Sequence, residues 1–143
     1  MKTLLYISLF IAATILIVSC EKSPKNYSPE QQAAIGSATA WVNLIDEGKY
    51  RESWQNASNS FKKDVTKRQW DIGLTYIRGP YGQVLSREVK SFSLSDYDSN
   101  LGKHRKAIIQ FQTTLENQKT VTEFLTLQLV GSTWRVSTYY LDR

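Results

Sequence analysis

Residues 106–115 read Lys-Ala-Ile-Ile-Gln-Phe-Gln-Thr-Thr-Leu, and their alternation decides the fold. Ala107, Ile109, Phe111, Thr113 and Leu115 fall on one side, with Gln110, Gln112 and Thr114 on the other. Successive side chains of a strand point to opposite faces, so this period of two describes a strand with one wet face, as antiparallel sheets have. The pattern extends in both directions. After a turn at Asn117, residues 120–130 place Val121, Leu125, Leu127 and Leu129 on one face. Gly131-Ser132 is a two-residue hairpin signal, and Trp134, Val136 and Tyr140 share a face of a last strand. Upstream, residues 84–94 read as the first strand and residues 95–103 (SDYDSNLGK) as a loop.

Before residue 84 the period is helical. Ser28-Pro29-Glu30-Gln31 combines a capping serine, a proline at the first helical position and the glutamine of a capping box. Ala34, Ala38, Trp41 and Ile45 then recur on one face, and Gly48 ends the helix. Tyr50, Trp54, Ala57 and Phe61 repeat that spacing in a second helix, which Asn56, Ser58, Asn59 and Ser60 weaken, so that it stops near residues 57–59. A third helix opens at Thr66, buries Trp70, Leu74 and Ile77, and stops at Gly79-Pro80. Three N-terminal helices packed on a curved four-stranded antiparallel sheet make an α+β domain. The order is similar to that of the NTF2-like cone.

An ordered set of residues carries a closer resemblance. It runs from Ala40-Trp41 and Asp46 through Tyr50, Ser53-Trp54, Phe61, Trp70, Arg78, Gly82 and Ser86-Arg87. It continues with Glu123, Leu125 and Leu127 and ends with Trp134-Arg135-Val136 and Tyr139. The set resembles the DUF4019 family of small bacterial exported proteins, with Tyr81 standing where that pattern usually has leucine. The resemblance implies fold and export, and brings no assigned reaction with it.

The N-terminus supplies an address. Lys2 precedes the apolar run LLYISLFIAATILIV, and Ser19 stands directly before Cys20, the single cysteine of the chain. The run is short for a membrane span, which needs about 20 residues, and has the layout of an export signal. Ile17-Val18-Ser19-Cys20 resembles the lipobox of bacterial lipoproteins, which implies cleavage before Cys20 and acylation of its thiol. Residues 1–19 are then a lipoprotein signal peptide, residues 20–27 a polar tether and residues 28–143 the folded domain. An uncleaved anchor and a plain secretory signal are the competing readings. The expected location is the cell envelope, lipid-anchored and facing the periplasm. Glu21 stands where some bacteria read aspartate as a retention signal, which favours the outer membrane by analogy.

Composition narrows the chemistry. The formal charge is +5 over 143 residues, a modest excess that suits anionic lipid or polysaccharide nearby, and no nucleic-acid motif surrounds the short basic clusters. One histidine, His104, and a cysteine committed to lipid argue against zinc or haem, and no cofactor is expected. No phosphate-binding glycine loop or Ser/His/Asp setting occurs.

Two charges stand out on apolar strand faces. Arg87 lies between Leu85 and Val89, and Glu123 lies on the face of Val121, Leu125 and Leu127. Their strands would be second neighbours, about 10 Å apart, a gap that two long side chains nearly close. The pair either organises the core or holds an anionic ligand through Arg87. Trp54, Trp70 and Tyr76 are the candidates to line a pocket with it, against a plain packing role for the tryptophans. Asp46 and Asp71 are helix-borne carboxylates to which the sequence gives no partner. The leading expectation is a non-catalytic binding or interaction domain. Its partners would be the membrane, through the anchor, and a small ligand or envelope protein. A small isomerase or lyase working in the cone, and a homodimeric subunit of an envelope assembly, are the alternatives.

Overall fold

The computed structural model of the chain describes residues 25–100, 102–117 and 119–142. Helix α1, Pro29–Asp46, begins with the expected capping box: Ser28 N–H donates to Gln31 Oε1 at 2.8 Å and Gln31 N–H to Ser28 Oγ at 3.3 Å. It buries Ala34, Ala38, Trp41, Val42 and Ile45. Among the described residues four α-helices form where the periodicity predicts three. Helix α2, Tyr50–Asn56, ends as Ala57 turns extended, and Ser58 then caps a separate helix α3, Asn59–Asp64. Ser58 Oγ accepts from Phe61 N–H, and Ser58 N–H donates to Val136 O at 2.8 Å, which fixes the break against the sheet. The serine and asparagines that look like a fraying helix end are a stop and a new start. Helix α4, Lys67–Ile77, opens on a second capping box at Thr66 and Gln69.

Four antiparallel strands follow in the spatial order β1-β2-β3-β4: Val84–Ser99, Gly102–Leu115, Thr120–Val130 and Thr133–Asp142. The expected loop at residues 95–103 is instead the far end of a long hairpin. Asp96 faces Arg105, Tyr97 faces His104 and Asp98 faces Lys103, so opposite charges and stacked rings continue the ladder almost to the turn. Gly102, at the reversal, has a φ of +105°, which glycine adopts without a steric cost.

Register shifts change which side chains face inward. A shift between Val84 and Ser86 turns Leu85 outward, 61 % exposed, while Val84 and Arg87 face the helices; strict alternation had put Leu85 beside Arg87. In β4, a shift opposite Thr126 and Leu127 makes Ser137 an extra residue. Tyr139 therefore faces inward and Tyr140 outward, reversing the assignment that alternation makes. A third shift, between Val89 and Ser91, bulges the open edge of β1. Lys25 Nζ donates there to Val89 O at 3.0 Å and Lys90 O at 3.1 Å, and the Tyr27 ring lies 6.0 Å from that of Phe92.

The core lies between the helices and the inner face of the sheet. Trp41, Phe61, Trp70 and Tyr139 form an aromatic cluster with centroids 4.9 to 6.1 Å apart, mostly edge to face. Buried Ser53 accepts from both indoles: its carbonyl from Trp41 Nε1–H at 2.7 Å, its hydroxyl from Trp70 Nε1–H at 2.9 Å. No described helix is long and apolar enough to cross a membrane.

Candidate functional site

Arg87 and Glu123 meet. The two odd charges face inward on β1 and β3 with β2 between them, and Arg87 Nη2 lies 2.7 Å from Glu123 Oε1, with Nε at 2.8 Å. Thr113, which pairs with Arg87 across the β1–β2 ladder, fills the gap between them. Its hydroxyl accepts from Arg87 Nε at 3.2 Å and donates to Glu123 Oε1. From β4, Tyr139 donates its hydroxyl to Glu123 Oε2 at 3.0 Å. Glu123 is 2 % exposed, so both of its oxygens are buried and both are bonded.

The other side of Arg87 belongs to Asp46, the last residue of α1. Arg87 Nη1 donates to Asp46 Oδ2 at 2.6 Å and Nη2 to Oδ1 at 3.1 Å, a two-pronged pairing. Arg78, following α4, donates to the same Oδ1 at 3.1 Å and to Gly82 O at 3.1 Å. Two arginines thus gather at the carbonyl end of α1, where the helix dipole favours cations. With two arginines and two carboxylates the network is formally neutral. It ties the ends of α1 and α4 to all four strands.

The electrostatics follow from this closure. Burial on its own would lower the pKa of Arg87, but the hydrogen bond to Asp46 and the charges of Glu123 and Asp46 raise it, so the guanidinium stays charged. Burial, followed by the charge and hydrogen bond of Glu123, pushes the Tyr139 phenol well above its ordinary value. It therefore stays protonated and donates to the carboxylate.

Arg87 and Asp46 also line a cleft of about 630 Å³ between α1 and β1, which Asn43 and Val89 help to wall. Glu123 is not among its lining residues. Of the other expected pocket residues, Trp70 lies in the aromatic cluster, and half-buried Trp54 donates its indole N–H to Val65 O at 2.7 Å. Tyr76 is 78 % exposed on α4. The structure brings Arg87 and Glu123 together and does not gather these three around them. Cys20, the expected lipid-attachment residue, lies outside the described residues. Among the described residues no group of three or more His, Cys, Asp or Glu side chains could hold a metal ion.

Residues 37–139 match the profile of a family described as a protein of unknown function (DUF4019). The chain belongs to the DUF4019 family. Every side chain of the network, from Asp46 to Tyr139, lies within the matched span, whereas the Lys25 and Tyr27 contacts to β1 lie before it. No curated protein matches the chain.

Two network residues were within reach of the sequence. Thr113 is a polar residue on the inner face of the strand that decides the fold, and that position is its signal. Asp46 is an acid at a helix C-terminus, where an acid is unfavourable without a cation, so a partner was implied but not its identity. Arg78 and Tyr139 enter through a helix end and a bulge, neither of which leaves a periodic mark.

Proposed function

We propose that this DUF4019 chain is a cell-envelope lipoprotein, cut before Cys20 and anchored there, with residues 20–27 as tether. Its α+β domain, of the NTF2-like kind, acts as a non-catalytic binding or interaction module on the periplasmic side, with the outer membrane favoured. The observation that carries the non-catalytic reading is the closure of the network. Acid–base work needs a carboxylate within reach of a substrate proton. Glu123 is occupied by Arg87, Thr113 and Tyr139 and lines no described cleft, and Asp46 is clamped by two arginines.

The envelope reading rests on the apolar run ending at Ser19-Cys20. Each acyl CH₂ buried contributes about 0.8 kcal/mol, and stable anchoring takes more than one chain. The test is metabolic labelling with a radioactive fatty acid, followed by membrane fractionation, for the full chain and for Cys20→Ser. The expected result is label and cleavage before residue 20 in the full chain and loss of both in the variant, whose uncut apolar run keeps it on the membrane. Normal processing or fatty-acid label in the variant, or no label in the full chain, would overturn the anchor.

The homodimeric alternative draws on the outer face of the sheet, where Phe124 and Tyr140 stack at 4.5 Å with Tyr140 53 % exposed. Sedimentation equilibrium decides it: a concentration-independent monomer mass removes that reading.

A further inference from the structure

The end of the sheet away from the charged network holds a second cleft, of about 670 Å³. It lies between α2 and α3 on one side and the ends of the β1–β2 and β3–β4 hairpins on the other. Three of its lining side chains are basic, Lys62, His104 and Arg135, and no described lining residue is acidic. Among the described residues none of the three makes an ion pair. The cleft beside Arg87 differs, because its lining includes Asp46 and Glu47 and its arginine is already neutralised.

The cations are held in place yet keep free donors. Lys62 Nζ donates to Gln55 O at 2.6 Å and sits 5.5 Å from the centre of the Trp54 ring. Arg135 Nη1 donates to Asn56 O at 3.2 Å. Both therefore bond carbonyls at the C-terminal end of α2, where cations are favoured. An ammonium has three donors and a guanidinium five, so each retains donors beyond that bond. The remaining wall is of mixed character. Tyr97 and His104 stack at 5.3 Å, Gln55, Asn59 and Gln128 contribute amides, and Leu129 and Val130 contribute apolar surface.

We propose that this cleft binds an anionic saccharide, a sugar carrying a carboxylate or a phosphate. Lys62 and Arg135 meet the charge, the amides meet ring hydroxyls, and the apolar and aromatic surface meets the C–H face of the ring. The volume falls in the range of small-molecule sites, about 300–1,000 Å³. Cations in a lining with no described acid select against cationic ligands. The inference deepens the binding reading by naming a ligand class, and it is independent of the anchor, which the Cys20→Ser assay judges on its own.

The experiment is calorimetric titration of the full chain, in a detergent without a sugar headgroup, with glucuronate, glucose 6-phosphate, glucose and inorganic phosphate. Glucuronate and glucose 6-phosphate are expected to bind about tenfold or more tighter than glucose or phosphate alone. The pair also separates a carboxylate preference from a phosphate preference. Replacing both cations, Lys62→Gln with Arg135→Gln, should weaken the charged sugars to the level of glucose, with an unchanged circular dichroism spectrum. If that double variant fails to fold, Gln128→Leu, which keeps every cation, should weaken glucuronate and leave phosphate unaltered. No heat from either charged sugar, equal binding of sugar acid and bare phosphate, or unchanged affinity in a folded double variant would overturn the proposal.

Discussion

The two ends of the sheet use the same residue types to opposite effect. At the α1 end, Arg78 and Arg87 are matched by Asp46 and Glu123, with bonds to Thr113, Tyr139 and a backbone carbonyl. At the hairpin end, Lys62, His104 and Arg135 border a cleft with no described acid among its lining. A buried charge must be paired, because desolvation costs several kcal/mol per ion. A half-exposed one need not be, and can be left for a ligand. The difference separates side chains that hold the domain together from side chains free to act on something else.

The strongest way to break that contrast is Glu123→Ala. It strips Arg87, Thr113 and Tyr139 of a shared partner at a site 2 % exposed, and removing one member of a buried pair costs about 3–5 kcal/mol. Urea denaturation should show that loss, and Glu123→Gln, which keeps an acceptor, a smaller one. A cost near zero would mean that the network does not organise the core.

A mid-sized effect is expected in alkali. The folded pKa of Tyr139 is raised, so the folded state keeps a proton that the unfolded chain releases. That stabilisation is complete below about pH 10, the unfolded value, and is lost as pH climbs from there toward the folded value. Tyr139→Phe removes the hydrogen bond to Glu123 and should cost about 1 kcal/mol at neutral pH. It should also flatten the fall in urea midpoint above about pH 10. A slope as steep in the variant as in the parent would locate the alkaline sensitivity elsewhere.

The smallest effect belongs to the open end. Lys62→Gln should shift stability by no more than about 0.5 kcal/mol, since Lys62 is half-exposed and makes one backbone bond. A loss as large as that of Glu123→Gln would make the two ends alike.

Alternation along residues 106–115 and 120–130 was enough to place two strands, and from them the meander. Arg87 and Glu123 were legible because a charge on an apolar face interrupts a pattern. Which cations would meet Asp46 was not, since Arg78 stands at a helix end and the meeting depends on how α1 and α4 pack against the sheet. Where one extra residue enters a strand, periodicity misleads, and so Tyr139 and Tyr140 exchanged faces at Ser137. Ser58 shows a third kind of loss. A hydroxyl that can end one helix can also begin the next, and only its bonds to Phe61 and Val136 distinguish the two.

Lys25 grips the bulge in β1 through two carbonyls only five residues after Cys20. At full stretch, five residues reach about 17 Å, less than the width of a small domain. If Cys20 carries the anchor proposed above, a leash this short would leave the domain little freedom to wander or tumble. It would ride close above the headgroups with the rim of β1 turned toward them, and any visitor to the domain would have to approach from the aqueous flank.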